Sequence, residues 1–178
     1  MTTDHEKYMQ LALDEARQAL VAGDFPVGCV LVANGEVVAK GKRANSRFTG
    51  NQTPNELDHA EILALRELKV NHPDIHPSEI IAYSTMEPCL MCYSTLLLNG
   101  IHKIVYAFED AMGGGTGLPL ARLTPLYRDM DVQLIPHILR PESLKLFADF
   151  FNNPHNSYWE NSYLAEYTLE QARKDLDK

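Results

Sequence analysis

The stretch Ile80-Ile81-Ala82-Tyr83-Ser84-Thr85-Met86-Glu87-Pro88-Cys89-Leu90-Met91-Cys92 carries the chain from a strand into a helix. Ile80 to Ser84 is rich in β-branched and aromatic residues and reads as a strand. Pro88 stands where a helix begins, because its fixed φ suits the first turn and its missing N–H is not needed there. The helix should continue from Cys89 to Asn99 and stop at Gly100. Lys103 to Phe108, led by Ile104, Val105 and Tyr106, reads as the next strand. Strands alternating with helices imply an α/β layer fold with helices on both faces of a sheet.

The rest of the chain extends this pattern. Val27 to Ala33 is an apolar run read as a buried strand, and Asn34-Gly35 is a two-residue hairpin turn into Glu36 to Ala39. Residues 3 to 22 read as a helix, with Thr3 and Glu6 as a capping box and Met9, Ala12, Leu13, Ala16, Ala19 and Leu20 at helical spacing. A second helix should start near Leu57 or Asp58 and run to about Val70, where Asn71, His72 and Pro73 stop it. Asp131 to Ile135 is a short fifth strand. Pro141 to Phe151 and Tyr158 to about Lys174 read as helices, separated by an Asn-rich break containing Pro154. Lys40 to Glu56, with Gly50 and Pro54, reads as an irregular loop. Gly113 to Gly117 reads as a flexible loop without the spacing of a phosphate-binding loop.

With 178 residues, 45% of them hydrophobic and 22% charged, the composition is that of one globular domain. The division expected is a core over about residues 4–151 and a helical extension over 152–178. No apolar run approaches the roughly 20 residues that span a bilayer. The N-terminus carries acids where a secretory leader would carry Lys or Arg, and the three cysteines are too few for a disulfide scaffold. Both features point to the cytoplasm. The net charge of −8 weighs against nucleic acid as the main partner, because phosphate contacts need clustered Lys and Arg. Lys40, Lys42, Arg43 and Arg47 form the one evident basic stretch and read as a solvated strand end and loop.

Two short motifs carry chemistry. His59 and the Cys89-x-x-Cys92 pair supply one imidazole and two thiolates, a donor set that suits zinc. Three protein ligands leave the fourth tetrahedral position open, as a catalytic zinc requires for water. The N-terminus of the Cys89 helix favours the thiolate form. Glu61, two residues from His59, is a candidate proton carrier. Cys29 lies inside a strand and reads as a core residue. Helical spacing alone does not place Glu61 beside a metal, since i and i+2 face apart.

Asp24-Phe25-Pro26-Val27-Gly28, His59-Ala60-Glu61 and Glu87-Pro88-Cys89-x-x-Cys92 together resemble the zinc-dependent cytidine and nucleobase deaminase superfamily. The resemblance covers roughly residues 4 to 151. Within it, Thr85 to Cys92, Ala148-Asp149-Phe150-Phe151, and Asp110 before the glycine-rich loop resemble the branch of tRNA adenosine, guanine and cytosine deaminases. The resemblance implies a three-layer α-β-α fold around a five-stranded mixed sheet, with one zinc per chain on His59, Cys89 and Cys92. It implies proton transfer by Glu61 and substrate contacts from Asn45, Phe25, Ala60 and Asp110. The activity implied is hydrolysis of an exocyclic amine on a nucleobase, nucleoside or related amino-heterocycle, with release of ammonia, by a homodimer. A wobble-adenosine tRNA deaminase is the alternative, and a non-catalytic zinc module a third reading. The basic tail of tRNA deaminases is replaced by Asn152-Asn153-Pro154-His155-Asn156. The aromatic, acidic helix beyond it would either pack on the domain or close the pocket over a small base.

Overall fold

The computed structural model describes residues 4–47 and 53–176. β1 (Gly28–Ala33) is buried along its whole length. Asn34 and Gly35 both have positive φ, 52° and 80°, the pair of left-handed residues that a tight two-residue hairpin turn needs. β2 (Glu36–Lys42) pairs antiparallel with β1, on whose other side β3 (Ile80–Met86) also runs antiparallel. β4 (Lys103–Phe108) and β5 (Gln133–Ile135) add in parallel, so the sheet is mixed and ordered β2-β1-β3-β4-β5.

Alternation along the strands splits the core in two. Val30 and Val32 of β1 share a cluster with Tyr8, Met9, Ala12, Leu13 and Ala16 of α1 (Asp4–Val21). Cys29, Leu31 and Ala33 face the other way, toward Ala64 and Leu68 of α2 (Ala60–Asn71) and Leu96 and Leu97 of α3 (Leu90–Leu98). A short α4 (Pro125–Arg128) leads into β5, and α5 (Arg140–Phe151) contributes Leu146 to the first cluster and Leu144, Phe147 and Phe150 to the second. α6 (Tyr163–Leu176) packs against α5. The layers are therefore helix, sheet, helix, as expected.

Two glycines set how closely the helices approach. A Cβ on Gly28 would lie 2.1 Å from the Ala12 carbonyl oxygen of α1, and one on Gly41 would lie 2.0 Å from the Ala60 carbonyl oxygen of α2. Each helix thus crosses the sheet over a strand glycine with backbone against backbone. The Gly41 crossing determines where the first turn of α2 sits.

Some boundaries differ from the sequence reading. β2 and β3 each continue past their expected ends, to Lys42 and Met86, because ladder pairing carries them on: Lys42 pairs with Gly28 of β1 and Met86 with Phe108 of β4. The last helix begins at Tyr163, not Tyr158: Trp159 and Asn161 adopt φ of 54° and 59°, which no right-handed helix accommodates. The Thr3 half of the capping box and Gly50 lie outside the described residues. Among the described residues no helix is long and apolar enough to cross a membrane.

Candidate active site

Both chemical motifs sit at helix starts. His59 is the residue before α2, with extended φ −70° and ψ 151°, and Cys89 is the residue before α3, with φ −63° and ψ 169°. This removes the spacing difficulty with Glu61. His59 lies outside the helix on extended backbone, so the i, i+2 rule for helical faces does not govern the pair. Cys92 stands one turn into α3, on the side over which a residue at the cap position folds.

α2 packs on β2 and β1, and α3 follows β3 on the other side of β1, so the two helix starts meet over the sheet. His59 Nδ1 lies 3.6 Å from Cys89 Sγ and 3.4 Å from Cys92 Sγ, and the three donor atoms all fall within 4.8 Å of one another. A tetrahedron with zinc bonds of about 2.0–2.3 Å has nitrogen–sulfur edges of about 3.5 Å. The donor set and its spacing fit zinc. Cys29 is fully buried in β1 and is not one of these donors.

The electrostatics divide the two thiols. A hydrogen bond from the Cys92 thiol outweighs burial and, with His59, holds Cys89 down to about 4. Cys92 is correspondingly raised, by its bond to Cys89 and by burial. Burial pushes His59 down, but the bond to Cys89 and the charges of Glu61 and Cys89 raise it. Glu61 is 3% exposed. Burial first, then the charge on Cys89, raises its carboxyl above the usual range, although Ser84 Oγ donates to its Oε1 at 2.9 Å.

His59, Glu61 and Cys89 line a cavity of about 320 Å³. Of the residues expected at the substrate, Phe25, Ala60 and Asp110 line it too, whereas Asn45 is not among the lining residues. Asn45 is exposed, has φ 56°, and donates its amide to Asp58 Oδ2 at 3.0 Å. Asp110 Oδ1 accepts the backbone N–H groups of Met112 and Gly113 at 3.0 and 2.8 Å.

Sequence reasoning did not assign Arg43, Glu56 or Glu87 to the cavity that they line, and it placed Tyr158 and Trp159 over the pocket as one of two readings of the C-terminal helix. Nearness in the chain, of Glu56 to His59 and of Glu87 to Cys89, is the signal that could have pointed to the two carboxylates. Glu87 accepts from Thr116 Oγ1 at 2.5 Å and from the Thr116 and Asp110 N–H groups at 3.2 Å each. The glycine-rich loop is accordingly packed, not free: a Cβ on Gly114 would meet Glu87 Cδ at 2.6 Å, and one on Gly115 would meet Leu90 Cα at 2.7 Å. Glycines there let the loop brace the backbone that presents Cys89.

The cytidine and deoxycytidylate deaminase zinc-binding region matches residues 2–108. A tRNA-specific adenosine deaminase of Bacillus subtilis is 30% identical over 149 residues, 84% of this chain and 89% of that one. The tRNA-specific adenosine deaminase subunit tad2 of Schizosaccharomyces pombe is 30% identical over 150 residues, 84% of this chain. The matched part is 37% of the tad2 subunit's own length. Among solved structures, a chain from work on A-to-I editing by tRNA:A34 deaminases superposes with a TM-score of 0.62 at 25% identity, over 79% of this chain and 98% of that one.

Proposed function

This chain belongs to the cytidine and deoxycytidylate deaminase zinc-binding family, and from that premise we propose that His59, Cys89 and Cys92 hold its zinc while Glu61 moves protons. The protein is a zinc-dependent hydrolytic deaminase, and we assign it a free nucleobase, nucleoside or related amino-heterocycle as substrate. Held by these three donors, zinc would supply a Lewis acid for the attacking water. Cys89 and Cys92 as thiolates would offset the charge of the ion, so Glu61 is the group that takes the proton of the attacking water. Burial raises the Glu61 carboxyl and so favours its proton-holding form, and the Ser84 hydroxyl fixes the carboxyl by donating to Oε1. Glu61 then delivers that proton to a ring nitrogen and carries the second proton of the added water to the departing amine, which leaves as ammonia while the ring carbon becomes a carbonyl.

The observation that carries the small-substrate reading is the charge of the cavity wall. Glu56, Glu61, Glu87 and Asp110 line it, and among the described lining residues Arg43 is the sole Lys or Arg. Arg43 is 2% exposed and already bonded to Glu56 and to the carbonyls of Ala44 and Asn55. A phosphate would meet carboxylates there with no spare cation. Tyr158, Trp159 and Leu164 wall the same cavity, leaving a volume at the lower end of small-molecule sites.

A second reading, deamination of adenosine in tRNA, is favoured by the names of the relatives. Against it, Lys40 pairs with Glu15 at 3.6 Å and Lys42 donates to Gln18 at 2.9 Å, so both are engaged within the chain. Ammonia release over free bases, nucleosides, their monophosphates and a tRNA stem-loop separates the two. Turnover of a base or nucleoside, with the monophosphates and stem-loop inert, is the expected result. Turnover of the stem-loop that falls steeply between about 50 and 200 mM salt would establish the tRNA reading instead. The same proposal places the enzyme in the cytoplasm as a homodimer, with the exposed Leu90 and Leu98 of α3 available as an apolar contact. Sedimentation of the zinc-loaded protein tests that assembly.

A further inference from the structure

His59 has two ring nitrogens, and only one of them faces the thiols. With Nδ1 turned to Cys89 and Cys92, a ligand lone pair on Nδ1 requires the ring proton on Nε2. Glu56 Oε2 lies 3.6 Å from Nε2, an ion-pair separation just beyond hydrogen-bond range. The carboxylate is itself gripped from the other side. Tyr158 Oη donates to Glu56 Oε2 at 3.0 Å, and Arg43 Nη2 donates to the same oxygen at 3.0 Å. Arg43 in turn donates through Nη1 to Ala44 and Asn55 carbonyls at 3.1 and 2.6 Å. The Tyr158 ring packs on Phe25 at 5.5 Å, tilted by 56°, which fixes it against the domain.

We propose that Glu56 is a positioning residue for the metal site, holding His59 as the Nε2–H tautomer, and that Tyr158 makes this hold depend on the docking of the C-terminal segment. Metal-bound histidines commonly give their second N–H to a carboxylate, which fixes ring orientation and raises ligand basicity. Here the carboxylate comes from the loop before α2, three residues ahead of the ligand it serves, and its anchor comes from beyond α5. The C-terminal segment thereby acts on the metal as well as on the cavity wall. This inference rests on the assignment of His59, Cys89 and Cys92 as zinc donors.

The test uses the full chain, stripped of metal and titrated with zinc against a competing chelator, with the imidazole nitrogens of His59 followed by ¹⁵N resonance. Glu56→Ala should weaken zinc binding by about 10–100-fold and shift the Nε2 resonance. Glu56→Gln, whose amide oxygen still accepts, should recover most of the affinity. Tyr158→Phe should move both readouts in the direction of Glu56→Ala by less, and Leu57→Ala, an exposed neighbour, should move neither. Wild-type affinity and an unshifted Nε2 in Glu56→Ala would overturn the proposal. Should that variant fail to fold, the wild-type protein decides. A zinc-loaded His59 whose Nε2 proton lacks the low-field shift of a bond to carboxylate overturns it as well. A wild-type chain that takes up no zinc overturns the donor assignment itself, a failure distinct from that of Glu56 alone.

Discussion

Ser84 of β3 donates to Glu61 of α2 at 2.9 Å, and both side chains are buried. This bond crosses from sheet to helix at the level where α2 begins. It leaves Glu61 with one oxygen fixed and a carboxyl that burial has raised. Glu61→Gln preserves shape and hydrogen bonding but cannot accept a proton. Ammonia release should fall by about 10²–10⁴-fold with one zinc per chain retained. Metal analysis beside a steady-state assay checks it, and a variant that keeps full turnover would remove Glu61 from the chemistry.

Ser84→Ala should behave differently. It leaves the carboxyl free to rotate, so kcat should drop by less than in Glu61→Gln while zinc affinity stays unchanged. The buried bond is worth about 1–2 kcal/mol, and thermal unfolding should report a loss of that order.

Gly28 and Gly41 make a matched pair, each lying under a helix with no room for a Cβ. Gly28→Ala and Gly41→Ala should both destabilise by about 1–3 kcal/mol through overpacking. Only Gly41→Ala displaces α2, which carries Glu61 and follows directly on His59. Zinc affinity should therefore weaken in Gly41→Ala and hold in Gly28→Ala. Equal affinities in the two variants would contradict the crossing geometry described above.

Trp159 lines the cavity while held at a φ of 54°, a conformation costly for a bulky side chain. Trp159→Ala removes a ring on which a flat heterocycle could stack, a contact worth about 1–3 kcal/mol per base. KM for the accepted substrate should rise by at least about fivefold, with kcat little changed. The split between the two constants separates a wall residue from one that touches the reaction.

Glu109 supplies a pH-dependent tie between the core and α6. Burial raises its carboxyl, but hydrogen bonds from Arg140 and Tyr167 outweigh that and hold it below the usual range. A depressed carboxylate stabilises the fold above its unfolded pKa, and that contribution disappears as pH falls through the folded value. Glu109→Gln should cost about 1–3 kcal/mol near pH 7, and the difference from wild type should shrink as the medium becomes more acid than the ordinary glutamate range. Denaturant titrations at neutral and acid pH measure it. A difference that does not change with pH would rule out the ionised pair as its origin.

Although the short α4 was not, the order of the strands, the hairpin at Asn34-Gly35, the choice of His59, Cys89 and Cys92 as a donor set and the burial of Cys29 were all legible in the chain itself. Each is governed by short-range physics: side-chain period, turn conformation, the soft donor chemistry of His with Cys-x-x-Cys. What only the tertiary structure decided is how distant segments meet. Extended backbone at His59 set Glu61 beside the donors, against what helical spacing alone implies. Asn45 came to rest on Asp58. Tyr158, beyond the last core helix, came to rest on Phe25 and Glu56. Such contacts follow from packing between residues far apart in the chain, which no local pattern encodes.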